Sequence, residues 1–165
     1  MNFSFRTFLI VLSLAFASVS NAQGIGNVQF GSTYEEATAR IVETFGHPAH
    51  VTSDEIVYNN KSFEGFRRWN KVTFRLRNGQ LCEARFYKDH KSKWMAKTEL
   101  DSIAKNLSKK HAISLDYEED GTRFYAGGQS PLGIGRLFTV FVAPRNGHWS
   151  DQLRFGPFKF KTNQL

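Results

Sequence analysis

The stretch VTFRLRNGQLCEARFYK, residues 72–88, decides the fold prediction. Apolar and polar residues alternate on both sides of its Asn78-Gly79 dipeptide, as in β-strands whose side chains point in turn to two faces. Asn-Gly accepts the positive φ angles of a two-residue hairpin turn. The stretch therefore predicts two antiparallel strands, over 72–77 and 81–88, joined by a tight turn.

The same alternation gives the predicted sheet an apolar face and a basic face. The residues expected on the apolar face are Val72, Phe74, Leu76, Cys82, Ala84 and Phe86, with Phe138, Val140 and Val142 from the second half of the chain. The basic face carries aromatic residues between cations, and we predict that it binds a partner through Lys71, Arg75, Arg77, Arg85, Tyr87 and Phe141. The alternative is a solvated face whose long charged side chains only keep the protein soluble.

Helical spacing of apolar residues occurs twice along the chain. Ser32 and Glu35 predict a capping box, and Gly46 predicts the stop of a first helix over about 33–45. A second helix is expected to start at Thr98 and to fade near residue 110. Further strands are expected at 55–59, 113–117, 122–125, 137–142 and 152–155.

The order of these elements is nearly the same in both halves of the chain. Tyr58 lies 14 positions before Val72, and Tyr125 lies 14 positions before Thr139. The predicted fold class is therefore α+β, a tandem repeat of a helix plus antiparallel strands, with the helices packed on one face of an antiparallel sheet. The repeats are placed at about 28–88 and 98–160. Coincidence within an ordinary α+β chain is the alternative.

The first residues have the three regions of a secretory signal peptide. An apolar run follows Arg6, and Ser20 and Ala22 fit the small-x-small cleavage rule. The run is shorter than the roughly 20 residues that span a bilayer, and no cysteine follows the cleavage site to carry a lipid anchor. We predict a signal peptide over 1–22, a single domain over 23–165, a periplasmic or secreted location, and no membrane span.

Charge and cysteine content narrow the classes of partner. Removing Arg6 with the predicted signal peptide leaves 21 of the 22 Lys and Arg residues against 15 Asp and Glu, which favours acidic partners. Nucleic acid is not expected as a partner of an exported chain. The lone Cys82 cannot form an intramolecular disulfide, and we expect it to be a small buried side chain rather than a nucleophile.

No catalytic constellation, cofactor motif or metal site is predicted. His47 and His50 lie beside Pro48 without the helical spacing of a metal-binding pair. The glycine-rich segment 127–135 lacks the Lys-Ser/Thr ending of a phosphate-binding loop. We therefore expect no cofactor and no metal, and the oligomeric state stays open.

Several short motifs carry a family resemblance. They are FGSTYEEA over 30–37, FGHP over 45–48, Tyr58, and the strand at 72–76. Together they resemble the SmpA/OmlA-type and β-lactamase-inhibitor-protein-like superfamily, and the ending LRFGPF over 153–158 is similar to that of small exported Gram-negative proteins without an assigned activity. The resemblance implies helices on one face of an antiparallel sheet and a second face free for a protein partner.

The sequence thus predicts an exported, non-enzymatic binding or interaction module of the cell envelope. Its partner is expected to be a protein or an acidic envelope component. Two alternatives stay open. One is a small envelope hydrolase whose site the sequence does not display, so enzymatic activity is left undecided. The other is a structural envelope protein that associates with itself through an exposed sheet edge.

Overall fold

The computed structural model describes residues 24–161 of the 165-residue chain. The predicted signal peptide lies outside the described residues. The described elements are β1 (Gly24–Ile25), β2 (Val28–Gln29), α1 (Tyr34–Phe45), β3 (His50–Val51), β4 (Glu55–Phe63), β5 (Phe66–Arg77), β6 (Gln80–His90), α2 (Lys93–Leu107), β7 (Ile113–Tyr117), β8 (Arg123–Gln129), β9 (Arg136–Arg145) and β10 (His148–Phe155). None of the described helices is long and apolar enough to cross a membrane.

Eight strands form one antiparallel sheet, while β1 and β2 form a separate two-stranded ribbon. The order across the large sheet is β3-β4-β5-β6-β10-β9-β8-β7. The chain fills the sheet from one edge to the centre, α2 carries it to the opposite edge, and β8 to β10 return it to the centre. The strands β6 and β10 therefore pair in the middle, with Phe86 opposite Leu153 and Arg85 opposite Arg154.

The predicted fold class, an α+β tandem repeat with helices packed on one sheet face, is wrong. Strands take up about half of the described residues and helices about a fifth, so this part of the chain is mostly antiparallel β-sheet. Eight strands about 4.8 Å apart make a sheet roughly 35 Å wide, and two helices about 10 Å across are too few to form a layer over it. The strands extend well beyond their predicted ends, since β5 begins at Phe66 and β10 at His148.

The equal spacing that suggested a repeat does not reflect equal pairing. Tyr58 pairs with Val72, whereas Tyr125 pairs with Val140 rather than with Thr139. Neighbouring residues of a strand point to opposite faces, so an offset of one residue exchanges the faces. The sequence match therefore aligned residues that lie on different sides of the sheet.

Both helices start at residues other than those predicted. The capping box of α1 consists of Thr33 and Glu36 instead of Ser32 and Glu35. The N-cap of α2 is Ser92, whose side chain accepts a hydrogen bond from the backbone of Met95. The second helix consequently begins at Lys93, earlier than its predicted start.

The central hairpin and the apolar face are confirmed. Asn78 and Gly79 have φ angles of 52° and 71°, the positive values that a two-residue turn requires. The expected apolar residues Val72, Phe74, Leu76, Cys82, Ala84, Phe86, Phe138 and Val140 are buried, and Val142 is half-buried. Alternation along the strands therefore predicts the burial of these side chains correctly.

An aromatic cluster joins α1 to both halves of the sheet. Phe86 is fully buried and stacks on Phe63, with 4.3 Å between the ring centroids. Its ring also meets Phe45 of α1, Trp69 of β5 and Phe155 of β10. Burial of one such side chain stabilises a protein by about 1.5–3 kcal/mol, and aromatic pairing adds roughly 0.5–1.5 kcal/mol.

Truncation of Phe86, at the centre of this cluster, tests how much the cluster contributes to the free energy of unfolding. We expect Phe86→Ala to lower the free energy of unfolding by about 3–5 kcal/mol, because it removes a buried ring and leaves a cavity. The matched control is Phe141→Ala on the opposite face, where the ring is only half-buried and the loss should be less than half as large. Guanidinium unfolding followed by circular dichroism measures both; equal losses contradict the assignment.

Candidate interaction surface on the open sheet face

One face of the large sheet carries no described helix or strand. Both helices and the β1–β2 ribbon contribute their apolar residues to the core cluster on the other face. We call the open side the outer face. Strand register places on it Lys71, Thr73, Arg75, Arg77, Glu83, Arg85, Tyr87, Asp89, Thr139, Phe141, Arg145, Gln152 and Arg154.

The six predicted partner-binding residues all lie on the outer face, but they do not form one cluster. Lys71, Tyr87 and Phe141 belong to a single row across β5, β6, β10 and β9, in which Gln152 fills the β10 position. Arg75 and Arg85 lie beside Glu83. Arg77 lies at the end of β5, six residues from Lys71, which corresponds to about 20 Å.

A buried carboxylate organises the arginines of the outer face. The side chain of Glu83 is 6% exposed, and its Oε1 accepts hydrogen bonds from the Nε of Arg85 and, at 2.8 Å, from the Nε of Arg154. Its Oε2 lies 4.0 Å from Nη1 of Arg75. Arg85 and Arg154 are directly opposite each other in the register, where like charges repel. Glu83 offsets that repulsion and holds three guanidinium groups side by side.

Other carboxylates also form ion pairs with cations of this face. The Nε of Arg75 lies 3.3 Å from Oε1 of Glu55. Nη1 of Arg145 lies 2.6 Å from Oδ2 of Asp89, and its guanidinium group lies 4.6 Å from the ring centroid of Tyr87. The face is therefore a network of ion pairs with an aromatic residue inside it, and less positive than its sequence suggests.

Lys71 and Arg77 differ from these arginines. Within residues 24–161, neither side chain forms an ion pair. Arg77 is exposed and Lys71 is half-buried. They are the cations of the predicted set whose charge is available to a partner without breaking an existing bond.

The set of partner-binding residues predicted from the sequence included neither Glu83 nor Arg145. Both omissions have one cause. The function of Glu83 depends on Arg154, which lies 71 positions further along the chain, and pairing at that distance leaves no local pattern. The one available signal was the alternation within β10, which turns Arg154 away from the buried Leu153 and Phe155.

A second pair of titratable groups is buried on the core face, at the other end of the β6–β10 pair. Nε2 of His90 and Oδ2 of Asp151 are 2.7 Å apart, and the Asp151 side chain is fully buried. Burial raises the pKa of Asp151 to about 8 and lowers the pKa of His90. Because both shifts disfavour charge, the pair is most stable at neutral pH as two uncharged groups.

This buried pair lacks the partner that hydrolases require. In the described part of the chain, neither the His90 ring nor the Asp151 carboxyl group hydrogen-bonds a hydroxyl or thiol group, since the Ser150 hydroxyl donates to the backbone carbonyl of Asp151. A His–Asp pair becomes a catalytic unit when the imidazole reaches a nucleophile. The thiol of Cys82 is buried, as expected, and burial raises its pKa, so the thiol keeps its proton.

Metal binding also finds no support in the described part of the chain. Residues 24–161 contain no group of three or more His, Cys, Asp and Glu side chains arranged to hold a metal ion. His47 and His50 are both exposed. A cleft of about 630 Å³ lies between α2, the β7–β8 turn and the β9–β10 turn, and none of the six predicted partner-binding residues line it.

Comparison of the chain with protein-family models, with curated proteins and with solved structures gave no match. The resemblance to the SmpA/OmlA-type and β-lactamase-inhibitor-protein-like superfamily stays a prediction.

The role of Glu83 can be tested by removing its charge alone. We expect Glu83→Gln to lower the free energy of unfolding by about 1–3 kcal/mol, because Arg85 and Arg154 then face each other without a carboxylate between them. The control Glu55→Gln removes a more exposed partner of Arg75 and should cost less than about 1 kcal/mol. Urea unfolding at pH 7 measures both, and an equal cost contradicts a special role for Glu83.

The buried pair predicts a specific pH dependence. An unfolded Asp151 ionises near its ordinary pKa of 3.8, whereas the folded carboxyl keeps its proton up to about pH 8. Between these values the unfolded state binds fewer protons, so the free energy of unfolding falls as pH rises. His90 adds little above its ordinary pKa of 6.5, because burial lowers its pKa further.

Asp151→Asn removes the titrating group but keeps its shape. From pH 6.5 to pH 8 we expect this variant to gain stability relative to the wild type, by at most about 1.4 kcal/mol per pH unit. Urea midpoints at both pH values measure the difference. Parallel profiles for the two proteins contradict a protonated Asp151.

Proposed function

We propose that this protein is a non-enzymatic binding module of the cell envelope, and that its outer face binds an acidic protein partner. The observation that carries the proposal is the buried Glu83, which holds Arg75, Arg85 and Arg154 together on an open sheet face. The export part of the proposal is supported by the signal-like pattern of residues 1–22.

The size and shape of the outer face suit a protein partner. Its four central strands, β5, β6, β10 and β9, are 8 to 12 residues long. They present a surface of roughly 20 by 30 Å, which is comparable with the ~800 Å² that each partner buries in a standard interface. A surface of this size exceeds what a small ligand would cover.

The chemistry of the outer face also favours recognition over simple solvation. A guanidinium group that is already fixed by a hydrogen bond loses little freedom when it meets a second carboxylate. Half-buried Tyr87 and Phe141 supply apolar area between the charges, and arginine with aromatic residues is the composition enriched at interfaces. Solubility alone would require no buried carboxylate, because separated surface charges provide it without the desolvation of Glu83.

The free cations Lys71 and Arg77 give the sharpest test. Reversal at Arg85 would also disturb the ion pair with buried Glu83, whereas Lys71→Glu and Arg77→Glu break no ion pair among the described residues. The matched control is Lys105→Glu with Lys109→Glu, which changes the net charge equally near the end of α2, away from the outer face. All three proteins should show the same thermal stability within a few degrees.

A glutamate-rich peptide, poly(glutamate), is the first probe, followed by proteins captured from cell-envelope extract. We expect the Lys71 and Arg77 double variant to bind the probe at least tenfold more weakly at low salt, mainly through slower association. The control should stay within about twofold of the wild type. Equal weakening of the two variants, or no weakening of either, overturns the assignment of the binding face.

A further inference from the structure

The strand β7 forms one edge of the large sheet, and this edge is open. Among the described residues β7 pairs with β8 alone. Leu115 is 44% exposed and Tyr117 is 61% exposed, both large hydrophobic side chains. The opposite edge strand, β3, has two residues against five in β7, so β7 offers the longer row of unpaired backbone groups.

The backbone of β7 directs alternate residues toward this open edge. The carbonyl of Ala112 accepts a hydrogen bond from the amide of Gly128, and the amide of Glu118 donates to the carbonyl of Thr122. Even-numbered positions therefore bond to β8. In an antiparallel ladder, the positions between them point their N–H and C=O groups the other way. The free groups are those of Ile113, Leu115 and Tyr117.

Ile113, Leu115 and Tyr117 can pair antiparallel with the same three residues of a second copy of the chain. If Leu115 lies opposite Leu115 of a second chain, Ile113 lies opposite Tyr117 in both directions. Every pair then joins free backbone groups to free backbone groups, and all six side chains fall on the core-side face of the sheet. Asp116 lies opposite Ser114 rather than opposite another carboxylate.

Charges on either side of β7 fit the same register. Lys109, Lys110 and His111 precede the strand, and Glu118, Glu119 and Asp120 follow it. With Leu115 at the two-fold axis, the basic end of one β7 lies beside the acidic end of the other, while Lys110 keeps its ion pair with Glu64 of its own chain. Neither Glu118 nor Glu119 forms an ion pair within residues 24–161. The basic and acidic ends are therefore complementary in a self-paired edge.

We propose that β7 pairs antiparallel with β7 of a second copy of this chain, with Leu115 at the two-fold axis. The dimer continues one antiparallel sheet through both copies. This interface is separate from the outer face, so its test does not depend on the acidic partner. A five-residue edge buries less than a standard interface, and we expect a dissociation constant on the order of 10 µM.

Sedimentation equilibrium of the purified protein from about 1 to 200 µM measures this association. The wild type should pass from monomer to dimer, and Leu115→Lys should shift the midpoint at least tenfold upward, because two buried ammonium groups would meet at the axis. The matched control is Val51→Lys, which changes an exposed apolar residue on the other edge strand and should leave the midpoint unchanged. Circular dichroism confirms that both variants stay folded.

Crosslinking tests the register itself. A short bismaleimide should join two copies of a Leu115→Cys variant at 100 µM and should leave a Val51→Cys variant monomeric, since buried Cys82 does not compete. A wild type that stays monomeric at 200 µM overturns the proposal. A dimer that Leu115→Lys leaves intact, or that Val51→Lys disrupts instead, overturns it as well, because the contact then lies elsewhere.

Discussion

The pairing of β6 with β10 is the contact on which both the core and the outer face depend. Its register places Phe86 opposite Leu153 on the core side and Arg85 opposite Arg154 on the outer side. A shift of one residue would send the aromatic ring to solvent and a guanidinium group into the core. The same backbone hydrogen bonds therefore fix the most buried cluster and the candidate binding surface.

This strand pair contains two buried carboxyl groups, Glu83 and Asp151, and their surroundings stabilise them in different ways. Glu83 is surrounded by three guanidinium groups that keep their charge at any accessible pH, so its desolvation is offset by ion pairs. Asp151 meets a single imidazole, which can itself become neutral. Burial then raises the pKa of Asp151 instead. Permanent cations therefore organise the outer face, whereas the Asp151 and His90 pair on the core side of the same strand pair is most stable uncharged.

What the sequence predicts well is local. The Asn78-Gly79 turn and the alternation around it identify the central hairpin and its buried face, because turn chemistry and side-chain direction act over a few residues. Local patterns are less reliable at element boundaries, since both predicted helix starts are wrong. A register shift between Arg75 and Leu76 also interrupts the alternation. It brings Leu81 opposite Leu76 and leaves buried Cys82 outside the hydrophobic cluster.

The strand order and the site depend on still more distant pairing. No local pattern states that β10 inserts beside β6, so neither the mostly β architecture nor the role of Glu83 follows from the sequence. The candidate surface was therefore predicted as a set of cations. The structure separates the bonded Arg75 and Arg85 from Lys71 and Arg77, which form no ion pair within residues 24–161. The residue pattern of the strands identifies the basic face, and only the ion pairs in the structure show which of its charges are available to a partner.

The strand order also decides which edges need protection. The last strand, β10, pairs at the centre of the large sheet, so the two edge strands are β3 and β7. The β3 edge is protected because the strand is short. The β7 strand has neither of the protective residues Lys and Pro. Its one charged residue, Asp116, forms an ion pair with Arg136. Self-pairing removes this exposed edge and sets two outer faces side by side in one sheet. An acidic partner long enough to reach both faces would then bind the dimer with higher avidity than the monomer, without any new contact.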